Sequence, residues 1–383
     1  MQDFLHMVTR MHEENFSRVK EVLRESQAPC GYFYPYTNIL DDTIPGLAQL
    51  EDAGLNITVI YTFGEEFAKK AAEKHQRKIV GLPSFFENPS QISAMLVHHL
   101  HWQGALGPLF EEKGVPTFFL DSVPRAASCS NYYMQHLNVL YDAYADFHDA
   151  DSRQAFLGGM LGRVTCRWAD FHFAPEPQYF LAGCMPSEGD IVIDGGAYDG
   201  GTSAAFASLG TKVYAFEMDR ANYEKCRARA AESGFVIENM GLSDHSKVEH
   251  YQAIDTASHI DANGNDKAQF ISIDEYVEQK GLPRVDYIKL DVEGAEYDTL
   301  RGAVKTIAKW KPRMAISAYH LLDDIWKLQQ YVKSIRPDYT FTFRHYKIDV
   351  HDYWLNDADR TNLRNFELGE LIPTECEMVL YAH

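Results

Sequence analysis

The stretch Asp190-Ile-Val-Ile-Asp-Gly-Gly-Ala-Tyr-Asp-Gly-Gly-Thr-Ser203 decides the fold of this chain. Its apolar run, residues 191–193, is typical of a buried parallel strand. The run ends at Asp194 and a glycine-rich turn, and a helix is predicted over residues 203–208. A strand, a turn with few side chains and a helix N-terminus together form a cradle in which a ligand can contact the backbone.

The acidic residue at the end of this strand indicates which ligand the turn suits. A dinucleotide site usually opens with glycine, because the pyrophosphate must approach the turn and a carboxylate would repel it. Asp194 instead suits a ligand with positive charge, such as an amino group or a sulfonium. The turn therefore favours S-adenosylmethionine over NAD.

Composition places the chain among ordinary globular proteins. It has 383 residues, 45% of them hydrophobic and 24% charged, which suggests two domains or one large domain with an extension. The net charge of −19 argues against a nucleic-acid partner, because phosphate binding needs a basic surface. No apolar run approaches the ~20 residues of a membrane span, and no secretory signal is recognisable. The cysteines have no close pair, which favours reduced thiols, and we expect a cytoplasmic protein that does not bind membranes.

Alternating patterns divide the chain into four predicted segments. They are an amphipathic N-terminal helix within residues 1–30, a Rossmann-like α/β front domain at 31–130, a helical linker at 131–169 and a second α/β domain at 170–383. The N-terminal helix is predicted as one helix over residues 3–25, and it leaves a homo-oligomer open because its apolar side is available to a second subunit.

The front domain is predicted to be a structural or substrate-docking unit. Its strands are expected at residues 57–63, 79–82, 95–99 and 116–120, with helices at 65–75 and 104–113. Gly64 precedes Glu65 and Glu66, which disfavours a phosphate cradle there. His98, His99 and His101 lie on an alternating stretch and cannot all point the same way, so a metal site is not expected.

The second domain is predicted to contain five parallel strands followed by two that pair antiparallel, which is the arrangement of a seven-stranded class I methyltransferase sheet. The strands are expected at residues 191–194, 212–217, 235–238, 287–290, 314–318, 339–343 and 377–381, and the helices at 221–233, 272–280, 296–308 and 322–335.

Side chains for cofactor binding follow the second and third of these strands. Glu217 ends the second strand, where an acid accepts hydrogen bonds from the ribose hydroxyls of an adenosine; the alternative is an ordinary exposed carboxylate. Adenine is then expected over Met218 and near Ser243 and Asp244, where the aspartate accepts from the exocyclic amine. The alternative for Asp244 is an ordinary turn residue.

Candidate catalytic residues follow the fourth and fifth strands. Asp291 and Glu293 stand at the carboxyl edge of the sheet, where open α/β sheets bind ligands, although helix capping would also explain an acid there. His320 ends the fifth strand and is a candidate base for an acceptor hydroxyl. Lys289 lies within the fourth strand, and its charge needs a carboxylate partner.

These motifs, in this order, resemble the FkbM family. The resemblance rests on residues 192–202, Phe216-Glu217, residues 241–244, Tyr287-Ile-Lys-Leu-Asp-Val-Glu-Gly-Ala-Glu296 and Ser317-Ala-Tyr-His320, and it covers about residues 170–383. It implies an S-adenosylmethionine-dependent methyltransferase domain, many of whose relatives act on hydroxyls of sugars or secondary metabolites. It further implies that Asp194, Gly196 and Gly200 line the methionine and ribose side of the cofactor and that Glu217 binds the ribose. Together with the positions after the strands, the predicted cofactor-binding residues are Asp194, Gly195, Gly196, Ala197, Gly200, Glu217, Met218, Ser243, Asp244 and Asp291. Asp291 and Glu293 would lie near the transferred methyl group.

The sequence thus predicts O-methylation of a small-molecule or carbohydrate acceptor, with His320 as the base and Asp291 as the alternative base. A metal is not expected, because catechol-type enzymes carry an Asp-Asn pair after the fifth strand and this chain has Ala-Tyr-His there; Asp291, Glu293 and His320 would nevertheless suit an oxygen-and-nitrogen site. Two rival functions stay open: an NAD-linked oxidoreductase, and a non-catalytic protein that binds S-adenosylmethionine.

Overall fold

The computed structural model describes residues 1–35, 37–98, 100–119, 131–253, 258–349 and 374–383. Contacts divide the chain into two compact units. One is built from Met1–Leu137, Leu157–Phe173 and the described residues of Lys347–Cys376, and the other from Asn138–Phe156, Ala174–Tyr346 and Glu377–His383. The predicted boundaries at residues 30, 130 and 169 stay a prediction.

The first unit begins with two helices where the sequence predicted one. They are α1 (Gln2–Glu13) and α2 (Phe16–Glu25). The side chain of Asn15 accepts a hydrogen bond from the backbone N–H of Arg18 and so starts a new helix. The single predicted helix over residues 3–25 is therefore wrong at Glu14 and Asn15.

A parallel sheet in the order β3-β2-β1-β4-β5 forms the centre of the first unit and confirms the smaller Rossmann-like α/β domain. Its strands are β1 (Cys30–Phe33), β2 (Ile57–Thr62), β3 (Ile79–Gly81), β4 (Ala94–Val97) and β5 (Thr117–Phe119). The helices around it are α3 (Leu47–Asp52), α4 (Glu65–His75), α5 (Pro83–Glu87) and α6 (Leu100–Glu112), with short 3-10 turns at Thr37–Leu40, Pro89–Gln91 and Trp168–Asp170.

The central strand β1 was missed by the sequence analysis. All four of its residues are buried, because Tyr32 packs into the core on one face of the sheet and Phe33 into the core on the other. A strand buried on both faces has no alternation of polar and apolar residues that would reveal it. At the end of β4, the Nδ1 atom of His98 lies 2.5 Å from the hydroxyl of Tyr32, which in turn donates to the carbonyl of Pro45. The predictions for His99 and for the side chain of His101 lie outside what the structure describes.

The helices that follow the first sheet include α7 (Leu137–Asp146) and α8 (Ala150–Thr165). The predicted break at residues 149–153 is shorter in the structure, because Asp149 accepts a hydrogen bond from the backbone N–H of Ser152 and caps the first turn of α8. Among the helices of the described residues, none combines the length and the apolarity needed to cross a bilayer.

The second unit contains the predicted seven-stranded sheet, in the order β15-β16-β14-β13-β6-β7-β8. Its strands are β6 (Ile191–Gly195), β7 (Lys212–Phe216), β8 (Val236–Glu238), β13 (Tyr287–Leu290), β14 (Arg313–Ser317), β15 (Phe341–Asp349) and β16 (Thr374–Ala382). Five neighbouring strands of this sheet are parallel, namely β8, β7, β6, β13 and β14. Strand β16 runs antiparallel to β14. This arrangement confirms the class I methyltransferase sheet.

The helices of this unit lie between the strands much as the sequence predicts. They are α9 (Gly201–Ser208), α10 (Arg220–Ser233), α11 (Ile273–Lys280), α12 (Glu296–Arg301), α13 (Val304–Trp310) and α14 (Asp324–Ile335). The predicted helix over residues 296–308 is wrong, because it breaks at Gly302. A side chain there would come within 2.1 Å of the carbonyl oxygen of Ser243, so only glycine allows this approach.

A small sheet that the sequence analysis did not predict follows β8. Its order is β11-β10-β12-β9, with strands β9 (Gly241–Leu242), β10 (Lys247–Gln252), β11 (His259–Ile260) and β12 (Asp266–Ile271). Phe270 and Tyr251 form its core, with Met218 packed against them. The small sheet therefore meets the main sheet beside the end of β7.

Candidate active site

A cavity opens at the carboxyl edge of the seven-stranded sheet, within the second unit. Its volume is about 620 Å³, including space open to solvent. The loops after β6, β7 and β13 and the small sheet contribute its wall. The lining residues are Gly196, Tyr198, Phe216, Glu217, Met218, Asn222, Gly241, Leu242, Ser258, Ile260, Phe270, Asp291, Val292, Glu293 and Ala295.

Glu217 lies in this wall at the end of β7 and is almost fully buried, with 7% of its surface exposed. Its two carboxylate oxygens each accept one backbone hydrogen bond, from the N–H groups of Tyr198 and Asp219, both at 2.8 Å. Burial raises the pKa of Glu217 to about 7, although these two hydrogen bonds act in the opposite direction. The carboxylate is thus fixed in orientation and can accept further hydrogen bonds from a ligand in the cavity.

Asp194 does not line the cavity and faces a cation of the protein itself. Its side chain is wholly buried, 3.2 Å from the Nζ of Lys289 and 2.5 Å from the Oγ of Ser203. Burial acts to lower the pKa of Lys289, but the charges of Asp194 and Asp291 raise it above its ordinary value. The expectation that Asp194 faces a cationic ligand is therefore corrected, because the parallel register places Lys289 opposite it.

The ammonium group of Lys289 also fixes the glycine turn after β6. It donates hydrogen bonds to the carbonyls of Gly195, at 3.2 Å, and Gly196, at 2.6 Å. The backbone N–H groups of Gly196 and Ala197 both donate to the carbonyl of Phe216. Of the predicted turn residues, Gly196 lines the cavity, whereas Gly195, Ala197 and Gly200 are absent from its wall and shape the turn.

Gly196 is required by the close approach of the loop after β13. Its φ is +74°, and a Cβ atom at this position would lie 1.7 Å from the carbonyl oxygen of Asp291. Backbone atoms of two neighbouring loops therefore meet here with no room for a side chain. The contact holds the glycine turn and the Asp291 loop in fixed relation at the cavity.

We expect Gly196→Ala to destabilise the protein by about 2–5 kcal/mol, from the positive φ and the overlap together. Urea unfolding followed by circular dichroism measures this change. Gly189→Ala is the matched control, since Gly189 also has a positive φ, +83°, but a Cβ atom there would meet no atom within 4 Å. Equal destabilisation by the two substitutions would contradict the role of the close contact.

The loop after β13 carries Asp291 and Glu293 on the cavity wall, as the sequence predicts for the carboxyl edge. The hydroxyl of Tyr179 donates to the Oδ2 of Asp291 at 3.0 Å, and the hydroxyl of Tyr319 donates to its Oδ1 at 3.3 Å. Burial raises the pKa of Tyr179 well above its ordinary value, so this hydroxyl stays a donor. Glu293, at φ +53°, and Gly294, at φ +95°, turn the chain sharply toward α12.

His320 lies beside these acids but is not in the cavity wall. Its side chain is 9% exposed, and its Nε2 atom is 3.4 Å from the Oε2 of Glu293 and 3.7 Å from the Oδ1 of Asp291. Its Nδ1 atom is 2.9 Å from the Oε1 of Glu296, which is fully buried. The three predicted catalytic residues are thus brought together, with His320 behind the two acids and Glu296 as a fourth member that the sequence analysis did not single out.

The predicted adenine contacts are only partly in the cavity wall. Met218 lines the cavity, whereas Ser243 and Asp244 do not. Asp244 instead accepts from His245 and lies 3.6 Å from Lys247 and 3.5 Å from Arg301. These interactions fit the alternative that the sequence left open, an ordinary turn residue.

Residues of the small sheet take the place that the sequence assigned to Ser243 and Asp244. They are Ile260 and Phe270, with Ser258 just before β11. Other lining residues that were not predicted as site residues are Tyr198, Phe216, Asn222, Gly241, Leu242, Val292 and Ala295. The alternation of exposed and buried residues in β12, where Ala268 and Phe270 are buried, is the signal that would have revealed the small sheet.

Comparison with known protein families assigns this region. Residues 194–345 match the family model described as the methyltransferase FkbM domain. The chain carries a methyltransferase domain of the FkbM family. The matched part of this FkbM domain includes every predicted site residue, from Asp194 to His320. None of the curated proteins matches the sequence.

Solved structures show the fold of the whole chain. The methyltransferase FkbM from Methylobacillus flagellatus KT superposes with a TM-score of 0.68 at 17% sequence identity, covering 100% of this chain and 98% of that one. A precorrin-6y C5,15-methyltransferase from Geobacter metallireducens GS-15 matches with a TM-score of 0.34 at 10% identity, over 55% of this chain and 93% of that one. The first similarity shows that this chain shares its fold with a solved protein.

Proposed function

We propose that this protein is an S-adenosylmethionine-dependent O-methyltransferase. The observation that supports this most directly is the position of Glu217 in the wall of a cavity at the carboxyl edge of an FkbM methyltransferase domain. In open α/β sheets, an acid at the end of the second strand accepts hydrogen bonds from the two ribose hydroxyls of an adenosine ligand. The NAD-linked oxidoreductase is less well supported, because the matched family consists of methyltransferases.

The lining residues fit the parts of the proposed cofactor. Phe216, Leu242, Ile260 and Phe270 provide an apolar surface for adenine, and Ser258 adds a hydroxyl there. Glu217 has carboxylate oxygens for the ribose. The backbone of Gly196 and the carboxylate of Asp291 lie at the part of the wall left for the methionine end. S-adenosylmethionine supplies a methyl group on a sulfonium, an electrophile that a hydroxyl oxygen can attack.

The remaining acids of the site support a hydroxyl acceptor. Asp291 and Glu293 are hydrogen-bond acceptors in the cavity wall, so they can orient a neutral hydroxyl and hold its proton away from the attacking lone pair. The O–H proton leaves toward this acidic group while the oxygen takes the methyl group. We propose a small-molecule or carbohydrate acceptor, and the net charge of −19 disfavours a nucleic acid.

Calorimetric titration with S-adenosylhomocysteine and with NAD tests the cofactor assignment. We expect micromolar binding of S-adenosylhomocysteine and none of NAD, and the reverse result would overturn the proposal. Incubation with methyl-labelled S-adenosylmethionine and a panel of sugars, glycans and hydroxylated metabolites then tests turnover. Cofactor binding without transfer to any acceptor would favour the non-catalytic binding protein.

A further inference from the structure

A histidine and several acids meet beside the cavity, near the carboxyl ends of β13 and β14. One ligand atom from each of Asp291, Glu296 and His320 lies within 4.8 Å of the other two, and Glu293 adds an oxygen 3.4 Å from the Nε2 of His320. These residues come from the loop after β13, the first turn of α12 and the loop after β14. Cis ligands of one metal ion are about 3 Å apart when each bond is about 2.1 Å, so small side-chain rotations would bring the three residues around one ion.

Buried polar atoms at the centre of this group lack hydrogen bonds. The ring nitrogens of His320 make no hydrogen bond of good geometry, although carboxylate oxygens of Glu296 and Glu293 lie 2.9 and 3.4 Å from them. The Oε2 of Glu296 is also buried without a hydrogen bond, while its Oε1 accepts from the backbone N–H of Val292 at 2.8 Å. An unsatisfied buried polar group is costly and calls for an explanation, of which an ion is one.

The negative charge of this group also favours a bound cation. Glu296 is fully buried, and Asp324, with 1% exposed, lies close enough for the two negative charges to repel each other. Lys289 is already engaged with Asp194 and with the glycine turn. Carboxylates that are buried together are stable only when cations compensate them, and the cation here is either a protonated His320 or a bound metal ion.

We propose that Asp291, Glu296 and His320 bind a divalent first-row transition-metal ion, such as Mn²⁺, Fe²⁺, Co²⁺ or Zn²⁺. One imidazole nitrogen with carboxylate oxygens suits these ions better than Mg²⁺ or Ca²⁺, which prefer oxygen alone. This site replaces the metal-free reaction expected from the sequence. It also gives His320 a role that its position behind the acids permits, since a ligand need not face the cavity.

The proposed ion would act on the acceptor, and this role rests on the proposed methyl transfer. Asp291 belongs both to the metal group and to the cavity wall, so an acceptor hydroxyl in the cavity can reach the same ion. A bound divalent ion would lower the pKa of a coordinated hydroxyl, whose proton would then pass to Glu293 in the cavity wall. The freed oxygen forms its bond to the methyl carbon as the bond from that carbon to sulfur breaks.

Manganese binding to the chelator-treated full-length protein tests the site without any methyl acceptor. Free Mn²⁺ gives a six-line electron paramagnetic resonance signal that disappears on binding, so titration with MnCl₂ measures affinity and stoichiometry. We expect a single tight site per chain, and His320→Gln and Asp291→Asn are each expected to weaken it about 10- to 100-fold. Glu278→Gln, an exposed acid on α11, is the matched control and should leave the titration unchanged.

Circular dichroism of each variant shows whether it is folded. If one of the two ligand substitutions prevents folding, the other still tests the site. Absence of a tight site in the wild type would overturn the proposal and leave His320 as a protonated imidazolium paired with the acids. An equal affinity in His320→Gln would do the same. Titration of the same chelated protein with S-adenosylhomocysteine tests the cofactor site separately, so failure of the metal proposal and failure of the methyltransferase proposal give different results.

Discussion

Replacing Lys289 by methionine is expected to lower the free energy of unfolding of the second unit by about 3–5 kcal/mol, the usual cost of removing one partner from a buried ion pair. Lys289 has 2% of its surface exposed and Asp194 has none, so solvent cannot compensate the carboxylate that remains. The substitution also removes the hydrogen bonds to the carbonyls of Gly195 and Gly196. Urea unfolding followed by circular dichroism and intrinsic fluorescence measures the loss.

The double variant Asp194→Asn with Lys289→Met separates charge from packing. Removing both charges leaves no uncompensated ion. The double variant is therefore expected to lose less unfolding free energy than the two single variants lose together. Strictly additive losses in the cycle would show that the two side chains do not stabilise each other. Lys225→Met, a cation on α10 that packs over the ring of Tyr198, is a control for loss of a lysine near the same loop.

The architecture could be predicted because its signals are local. Each parallel strand of the main sheet is a short apolar run between turn residues, as in Ile191–Gly195 and Tyr287–Leu290, and fully buried parallel strands have this pattern. The carboxyl ends of such strands share one edge, so Glu217, Asp291 and Glu293 could be assigned to one cavity from the sequence alone.

The partners of individual side chains could not be predicted, because they depend on register and on long-range pairing. Asp194 at a strand end suits an external cation equally well, and only the alignment of β6 with β13 shows that Lys289 is its partner. The small sheet could not be predicted for the same reason, since β9 has only two residues and pairs with β12 across a long separation in sequence. Its lining residues Ile260 and Phe270 therefore replaced the predicted contacts at Ser243 and Asp244.

We expect Glu217→Ala to weaken binding of S-adenosylhomocysteine by at least about 100-fold, because two hydrogen bonds to a charged acceptor are lost at about 1.5–3 kcal/mol each. The carboxylate is held by the backbone N–H groups of Tyr198 and Asp219, so the ribose finds an acceptor that is already oriented. Glu238→Gln is the matched control, since Glu238 ends the neighbouring strand β8 but bonds to Tyr276 and Lys280 and is absent from the cavity wall. Calorimetric titration at pH 8 measures both affinities.

The same carboxylate should make cofactor binding depend on pH. Burial raises the pKa of Glu217 to about 7, so the free folded protein holds a proton there that the unfolded chain releases near its ordinary pKa of about 4.5. The contribution of this proton to the free energy of unfolding is present at low pH and is lost as pH rises through about 7. Ribose hydroxyls of the proposed cofactor, in contrast, bind the ionised carboxylate better. Affinity for S-adenosylhomocysteine is therefore expected to fall by about tenfold in total as pH decreases from 8 to 6, because the ionised fraction of Glu217 falls by about that factor over this range. This dependence should disappear in Glu217→Gln, which cannot ionise; a profile identical to wild type would assign the pH effect to another group and remove Glu217 from the ribose site.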